Sequence, residues 1–178
     1  MVDNEPPGEL RPRSRRPATE AEAATLASAI RLRIIRLTHH EALTNREIAE
    51  RLGRDPATTL HHVRRLVDHG FLRALPPRRG RRGSREIPYR STGLSWWLED
   101  MGNFSLPVRE AVLEAFLSEV AEVGTGDLEQ SRLVLRLDEA GLDELRRRLH
   151  DLLDEFAARP SDPDGRSVAV YLALYPTG

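Results

Sequence analysis

Between Leu43 and Gly70 the chain spells out two short helices, each with its own start and stop signal, separated by a break of three residues. Thr44 is a favourable N-cap. Glu47, three residues on, completes a capping box in which each side chain satisfies a backbone N–H of the other's turn. Ile48 and Leu52 recur at helical spacing, and Gly53 stands just past the last turn, where a left-handed backbone closes a helix. Asp55 can cap a second helix, with Pro56 at its first position, where the missing N–H is harmless. That helix is expected over 56–69, closed by Gly70, with Thr59, Val63, Leu66 and Val67 on its inner face. Small Ala49, four residues before Gly53, suits a close helix crossing. Two helices joined by a short turn containing Gly form the helix-turn-helix pattern.

The flanks extend this pattern. Leu26, Ile30, Ile34 and Leu37 recur at spacings of four, four and three, as one face of a single helix or of two short helices in sequence. After Gly70, residues 71–75 and 86–90 read as strands, with Pro88 expected to confine the second to a sheet edge. Between them lies a basic tip carrying Arg78, Arg79, Arg81, Arg82 and Arg85. Residues 106–123 read as a helix, 132–137 and 168–174 as apolar strands, 142–156 as an amphipathic helix, and 161–165 as a turn cluster. The expected fold class is α+β: a winged helix-turn-helix domain followed by a helix and a C-terminal βαβ-type unit. Residues 1–20, rich in Pro and charge, read as a disordered tail. The DNA-facing domain is expected over 21–98, and 99–178 is expected to serve dimerisation and to hold any effector site.

Charge divides the chain along the same line. Residues 21–98 carry 15 Arg against 7 carboxylates, a net of +8, while 99–178 carry 8 Arg against 17, a net of −9. Such asymmetry points to a polyanion facing one half only. With no Cys there are no disulfides and no thiol chemistry. No run approaches the ~20 apolar residues that span a bilayer. The first 20 residues lack the apolar stretch of a secretory signal, so a cytoplasmic location is expected, without membrane association.

These features assign roles. The 56–69 helix can lie in the major groove of double-stranded DNA with its N-terminal half against base edges. Subtracting the inner face leaves Ala57, Thr58, His61, His62, Arg64 and Arg65 as contacts. Thr58 and His61 are placed for a base edge or a phosphate, Arg64 and Arg65 for phosphates unless one reaches a guanine. Thr44 and Arg46, where the first helix begins, are placed to meet the backbone, and the five wing arginines suit phosphates or a narrow minor groove.

Residues 26–90 resemble the winged helix-turn-helix domain of the ArsR-type (arsenic-repressor-like) regulators. The resemblance is carried by residues 31–37 (Arg31 to Leu37), Leu43-Thr44, Glu47-Ile48-Ala49, Leu52-Gly53, residues 58–63 (Thr58 to Val63), Leu66 and Gly70-Phe71-Leu72. It implies a homodimeric repressor on a palindromic operator, often released by a small-molecule effector. The metal-sensing members' Cys motif is missing from 43–54, and no His stands in 106–123, so metal sensing is not carried over. The adjacent pairs His39-His40 and His61-His62 point about 100° apart on a helix, which disfavours shared chelation. No phosphate-binding Gly loop, nucleophile elbow or zinc-ligand spacing is present, so neither catalytic residues nor a cofactor is expected. The competing expectation is a winged module that binds another protein without DNA. Of Trp96 and Trp97, one is expected in the core or interface and the other at a pocket.

Overall fold

The computed structural model describes residues 14–80, 83–160, 162 and 164–177. It runs β1 (Arg16–Pro17), α1 (Glu20–Leu26), α2 (Ala29–Leu37), β2 (Leu43–Thr44), α3 (Asn45–Leu52), α4 (Pro56–Asp68), β3 (Leu72–Ala74), β4 (Arg78–Arg79), β5 (Arg85–Glu86), β6 (Pro88–Ser91), β7 (Leu98–Glu99), α5 (Ser105–Val123) and α6 (Glu139–Ala157). The described residues up to Thr125 make one unit, and those from 126 onward make a second.

In the first unit the helices start where the sequence supplies caps. Thr19 and Glu22 form a capping box on α1, and Thr44 and Glu47 form one on α3. The run from Leu26 to Leu37 is two helices: α1 ends at Ala27, and Ser28 redirects the chain into α2. Ile34, Leu43, Ile48, Val63, Leu66 and Phe71 are almost wholly enclosed, with Leu26, Leu72, Leu98 and Val108 packed among them. The apolar stripes of α2, α3 and α4 therefore converge on one core.

The sheet differs from the expected two-stranded wing. Its order is β2-β6-β3, all antiparallel, so β6 is central rather than an edge. Pro88 is tolerated because it opens the strand, where its missing N–H leaves no ladder bond unmade, while its carbonyl accepts from Leu75 N–H at 2.8 Å. The basic tip is also paired: Arg78 lies opposite Glu86 and Arg79 opposite Arg85, and Gly80 N–H donates to Ser84 C=O at 2.7 Å. Arg81 and Arg82 lie outside the described residues.

Residues 14–20 are not the disordered tail expected from composition; residues 1–13 lie outside the described residues. Arg16–Pro17 pairs in parallel with Leu98–Glu99, and Ala18 N–H donates to Glu99 C=O at 2.9 Å. Arg16 clasps Glu22 (2.6 and 2.9 Å), and the Arg15 guanidinium sits 4.9 Å from the Trp96 ring centre. The strand pairing and the Trp96 contact are long-range, which is why a Pro- and charge-rich composition did not announce them. Trp97 is the buried tryptophan, and Trp96 the more exposed one. α5 packs against α1 and α2, so the first unit runs past residue 98, where the charge changes sign.

The second unit carries α6, capped by Asp138, which accepts from Gly141 N–H at 2.8 Å. The flanking segments 132–137 and 168–174 form no strands among the described residues, so the expected βαβ-type arrangement is reduced to its helix. Alternation of apolar residues marks a surface ready to be half-buried, but a strand also needs a ladder partner. None is present here: Leu133, Val134, Val168 and Val170 are exposed, and α6 buries no residue. Ser161 and Pro163 of the expected turn lie outside the described residues; Gly165 N–H donates to Asp162 C=O at 3.1 Å.

The Arg16–Glu22 clasp generates a pH prediction. Arg16, then the Thr19 N–H and hydroxyl working against partial burial, holds the Glu22 carboxyl down at about 2. A depressed carboxylate contributes stability above its unfolded value of 4.5, and that contribution is lost as pH falls toward 2. Glu22→Gln is expected to destabilise the unit by about 1–2 kcal/mol at pH 7, after discounting for the exposed Arg16, and to change little at pH 2. Thermal melts across pH 2–7 check this; an equal loss at both ends would contradict it.

Candidate nucleic-acid interface

The approach of α4 to a ligand is set by its first turn. Gly53 adopts φ +60°, and its N–H meets the Ala49 and Glu50 carbonyls, so the chain leaves α3 sharply. Asp55 accepts from Thr58 N–H at 2.9 Å; that bond, foremost, holds its carboxyl below the usual range despite some desolvation. Asn45 Nδ2, at the start of α3, donates to Pro56 C=O at 2.9 Å and ties the two helix starts together.

Burial sorts the expected contacts on α4. Ala57, Thr58, His61 and Arg64 are exposed and follow one another around the outer face; Thr58 Oγ1 also reaches Asp55 Oδ2 at 3.3 Å. His62 and Arg65 are half-buried on the flank toward α1 and α2. Arg65 Nε donates to Thr25 Oγ1 at 3.4 Å. His62 is held below the usual imidazole range, first by burial and then by the charges of Arg31, His61 and Arg54. The two imidazoles stand edge-to-face, 5.8 Å between centres.

On α3 and the wing the sorting is by ion pair. Thr44 is buried and its hydroxyl is engaged with Glu47 at 2.9 Å, so its part is to start α3 rather than to offer a contact. Arg46 pairs with Glu50 at 2.8 Å. Arg78 holds both Glu47 oxygens, at 2.6 and 2.8 Å. Burial raises the Glu47 carboxyl, but the Thr44 N–H and hydroxyl and the Arg78 charge outweigh it, so it stays ionised more readily than usual. The same carboxylate thus caps α3 and fixes the base of the wing. Arg79 and Arg85 are exposed opposite one another, and among the described residues neither has a carboxylate partner.

Arg31 and Arg54 were missed by sequence reasoning. Arg31 lies on α2 and Arg54 in the turn, outside the helix face that periodicity picks out; only the tertiary fold brings their charges to His62.

A capped helix pair with a Gly turn, continued directly by a β-hairpin on a three-stranded sheet, defines a winged helix-turn-helix domain. Residues 26–73 match the family model of a helix-turn-helix domain, and the match stops before the wing tip. A comparison with curated proteins found no match. Among the described residues no helix is long and apolar enough to cross a membrane.

The turn can be tested by itself. Nothing lies within 4 Å of a Cβ added at Gly53, so substitution there strains only the backbone. Gly53→Ala is expected to lower stability by about 1 kcal/mol and Gly53→Asn by less. Thermal melts decide; an Ala variant as stable as the parent would mean the turn relaxes out of the left-handed region.

Proposed function

We propose that this chain is a sequence-specific DNA-binding transcriptional regulator that acts as a dimeric repressor, with α4 in the major groove and the wing on the adjacent backbone. The observation that carries the reading is the exposed row Ala57, Thr58, His61 and Arg64 on α4, followed along the chain by the wing guanidiniums Arg79 and Arg85, which have no carboxylate partner among the described residues. Short polar side chains at the start of α4 suit base edges, and guanidiniums farther on suit phosphates. Arg81 and Arg82 add to the wing charge by sequence alone.

The dimer rests on α5. Val108, Ala111 and Ala115 face the core, while Leu106, Leu113 and Leu117 fall on the opposite face of the helix and are exposed. A helix apolar on both faces needs a second surface to cover it. A second copy supplies that cover and the two-fold symmetry of a palindromic site, with half-sites ~34 Å apart. The ArsR-type resemblance supports both the dimer and the repressor role.

Replacing Arg79 and Arg85 together by Ala is expected to weaken binding to all sequences alike and to flatten its salt dependence. Replacing Thr58 or His61 should instead erode discrimination between sites, by about 1–3 kcal/mol per lost base contact. Fluorescence anisotropy against the chain's own upstream DNA and a random duplex, over a salt series, separates the two. Undiminished random-duplex affinity in the wing variant would refute the wing's role. Light scattering tests the dimer: a monomer at micromolar concentration contradicts it, and Leu113→Glu should convert a dimer to monomer.

A further inference from the structure

Thr25, fully buried near the end of α1, organises two guanidiniums from different helices. Its hydroxyl donates to Ala21 C=O at 2.8 Å and accepts from Arg65 Nε of α4 at 3.4 Å. Its carbonyl accepts from Arg31 Nε of α2, and Arg31 Nη2 donates to Ala24 C=O at 3.0 Å. Arg31 therefore closes the end of α1, and this holds its guanidinium in place beside that of Arg65. Arg31 Nη1 and both terminal nitrogens of Arg65 have no hydrogen-bond partner among the described residues. One turn before Arg65, His62 Nδ1 is also buried and unpartnered.

Among the described residues no carboxylate pairs with Arg31, Arg54 or Arg65. On the same helix as Arg31, by contrast, Arg33 is paired with Glu122 and Arg36 with Glu119. Half-buried like charges held together without an anion are unfavourable. Accordingly burial, then the Arg65 charge, pushes the Arg31 guanidinium below its ordinary range. Two neighbouring guanidiniums with spare donors are a match for the oxygens of a phosphate.

We propose that Arg31 and Arg65, gathered over Thr25 and flanked by His62, form a seat for one backbone phosphate of duplex DNA on the α1–α2 side of α4. The proposal rests on the DNA-binding reading above and adds α2 to the contact surface. It makes the anchoring two-sided: the wing beyond the end of α4 grips one stretch of backbone, and the Thr25 seat grips another on the α1–α2 flank of its last turn. The seat carries no sequence information, because a phosphate is the same at every base pair.

The test uses the full chain, a random-sequence duplex and a salt series. Arg65→Gln and Arg31→Gln are each expected to reduce the slope of log affinity against log salt by about one, with affinity about tenfold weaker for all sequences. Arg31→Gln also opens the end of α1, so circular dichroism melts accompany it; Arg65→Gln leaves that closure intact and stands alone if Arg31→Gln fails to fold. The Arg79/Arg85 double-Ala variant serves as the reference for a weakened wing. If Arg65→Gln keeps the parental slope while the wing variant loses slope, the seat is overturned and DNA binding stands. If the parent shows no salt-dependent binding to any duplex, the functional reading itself falls. If millimolar inorganic phosphate displaces the duplex from the parent more than chloride does at equal ionic strength, but displaces it from Arg65→Gln no more than chloride does, free phosphate and duplex compete for the same guanidinium and the seat is supported. If phosphate binds the parent in an Arg65-dependent way yet displaces the duplex no more than chloride does, the seat belongs to a free anion and the backbone assignment is overturned.

Discussion

The relation between α3 and α4 is the constraint on which the rest depends, and it is made almost entirely of backbone-level devices. Gly53 turns the chain through a left-handed residue, Asp55 caps the new helix, and Asn45 reaches across to the Pro56 carbonyl. Each is a short-range interaction that leaves α3 and α4 little freedom to change their angle. Ile48, Val63 and Leu66 then bury what the turn has brought together. Because α4 is held from its first turn, its outer residues are presented at fixed positions, which is what recognition of base edges requires.

Glu47 carries the same logic to the wing. One carboxylate completes the capping box with Thr44 and receives Arg78. The wing base is thereby tied to the start of α3, so the hairpin does not stand as an independent arm. Arg78 is neutralised in this role, while Arg79 and Arg85, one register further out, have no carboxylate partner among the described residues. A count of arginines in the wing overstates the charge available to a ligand, and pairing is what separates anchoring arginines from presenting ones.

What the sequence made legible is what is local. Caps, the Gly53 turn, the Pro56 start and the inner face of α4 all follow from residues within one or two turns of each other. What it hid is what depends on partners far along the chain. Pro88 read as an edge marker because the short β2 strand at Leu43–Thr44 carries too few residues to be seen, and without it β6 has only one neighbour. Residues 14–18 read as tail because their partners, Leu98 and Glu99, lie some eighty residues away. Arg65 read as an outer-face residue because helical periodicity cannot know that Thr25 lies within its reach. The segments 132–137 and 168–174 show the converse: alternation was legible, but pairing is a property of two strands, and the pattern of one cannot supply it.

The charge asymmetry between the halves has a structural resolution in α2. Arg33 and Arg36 sit three residues apart, on one face, and both meet carboxylates of α5. Arg31 points away from that face, toward α1 and α4. Part of the acidic excess that follows residue 98 is therefore consumed internally, neutralising one side of α2. Glu119 shows the strain of that arrangement: burial raises its carboxyl despite two nearby guanidiniums. Among the described residues of 21–98, the arginines without a carboxylate partner are Arg31, Arg54, Arg64 and Arg65 around α4, Arg79 and Arg85 on the wing, and Arg73 and Arg90 on the sheet. A protein whose net charge is only −1 can thus carry a locally positive surface that its net charge does not reveal.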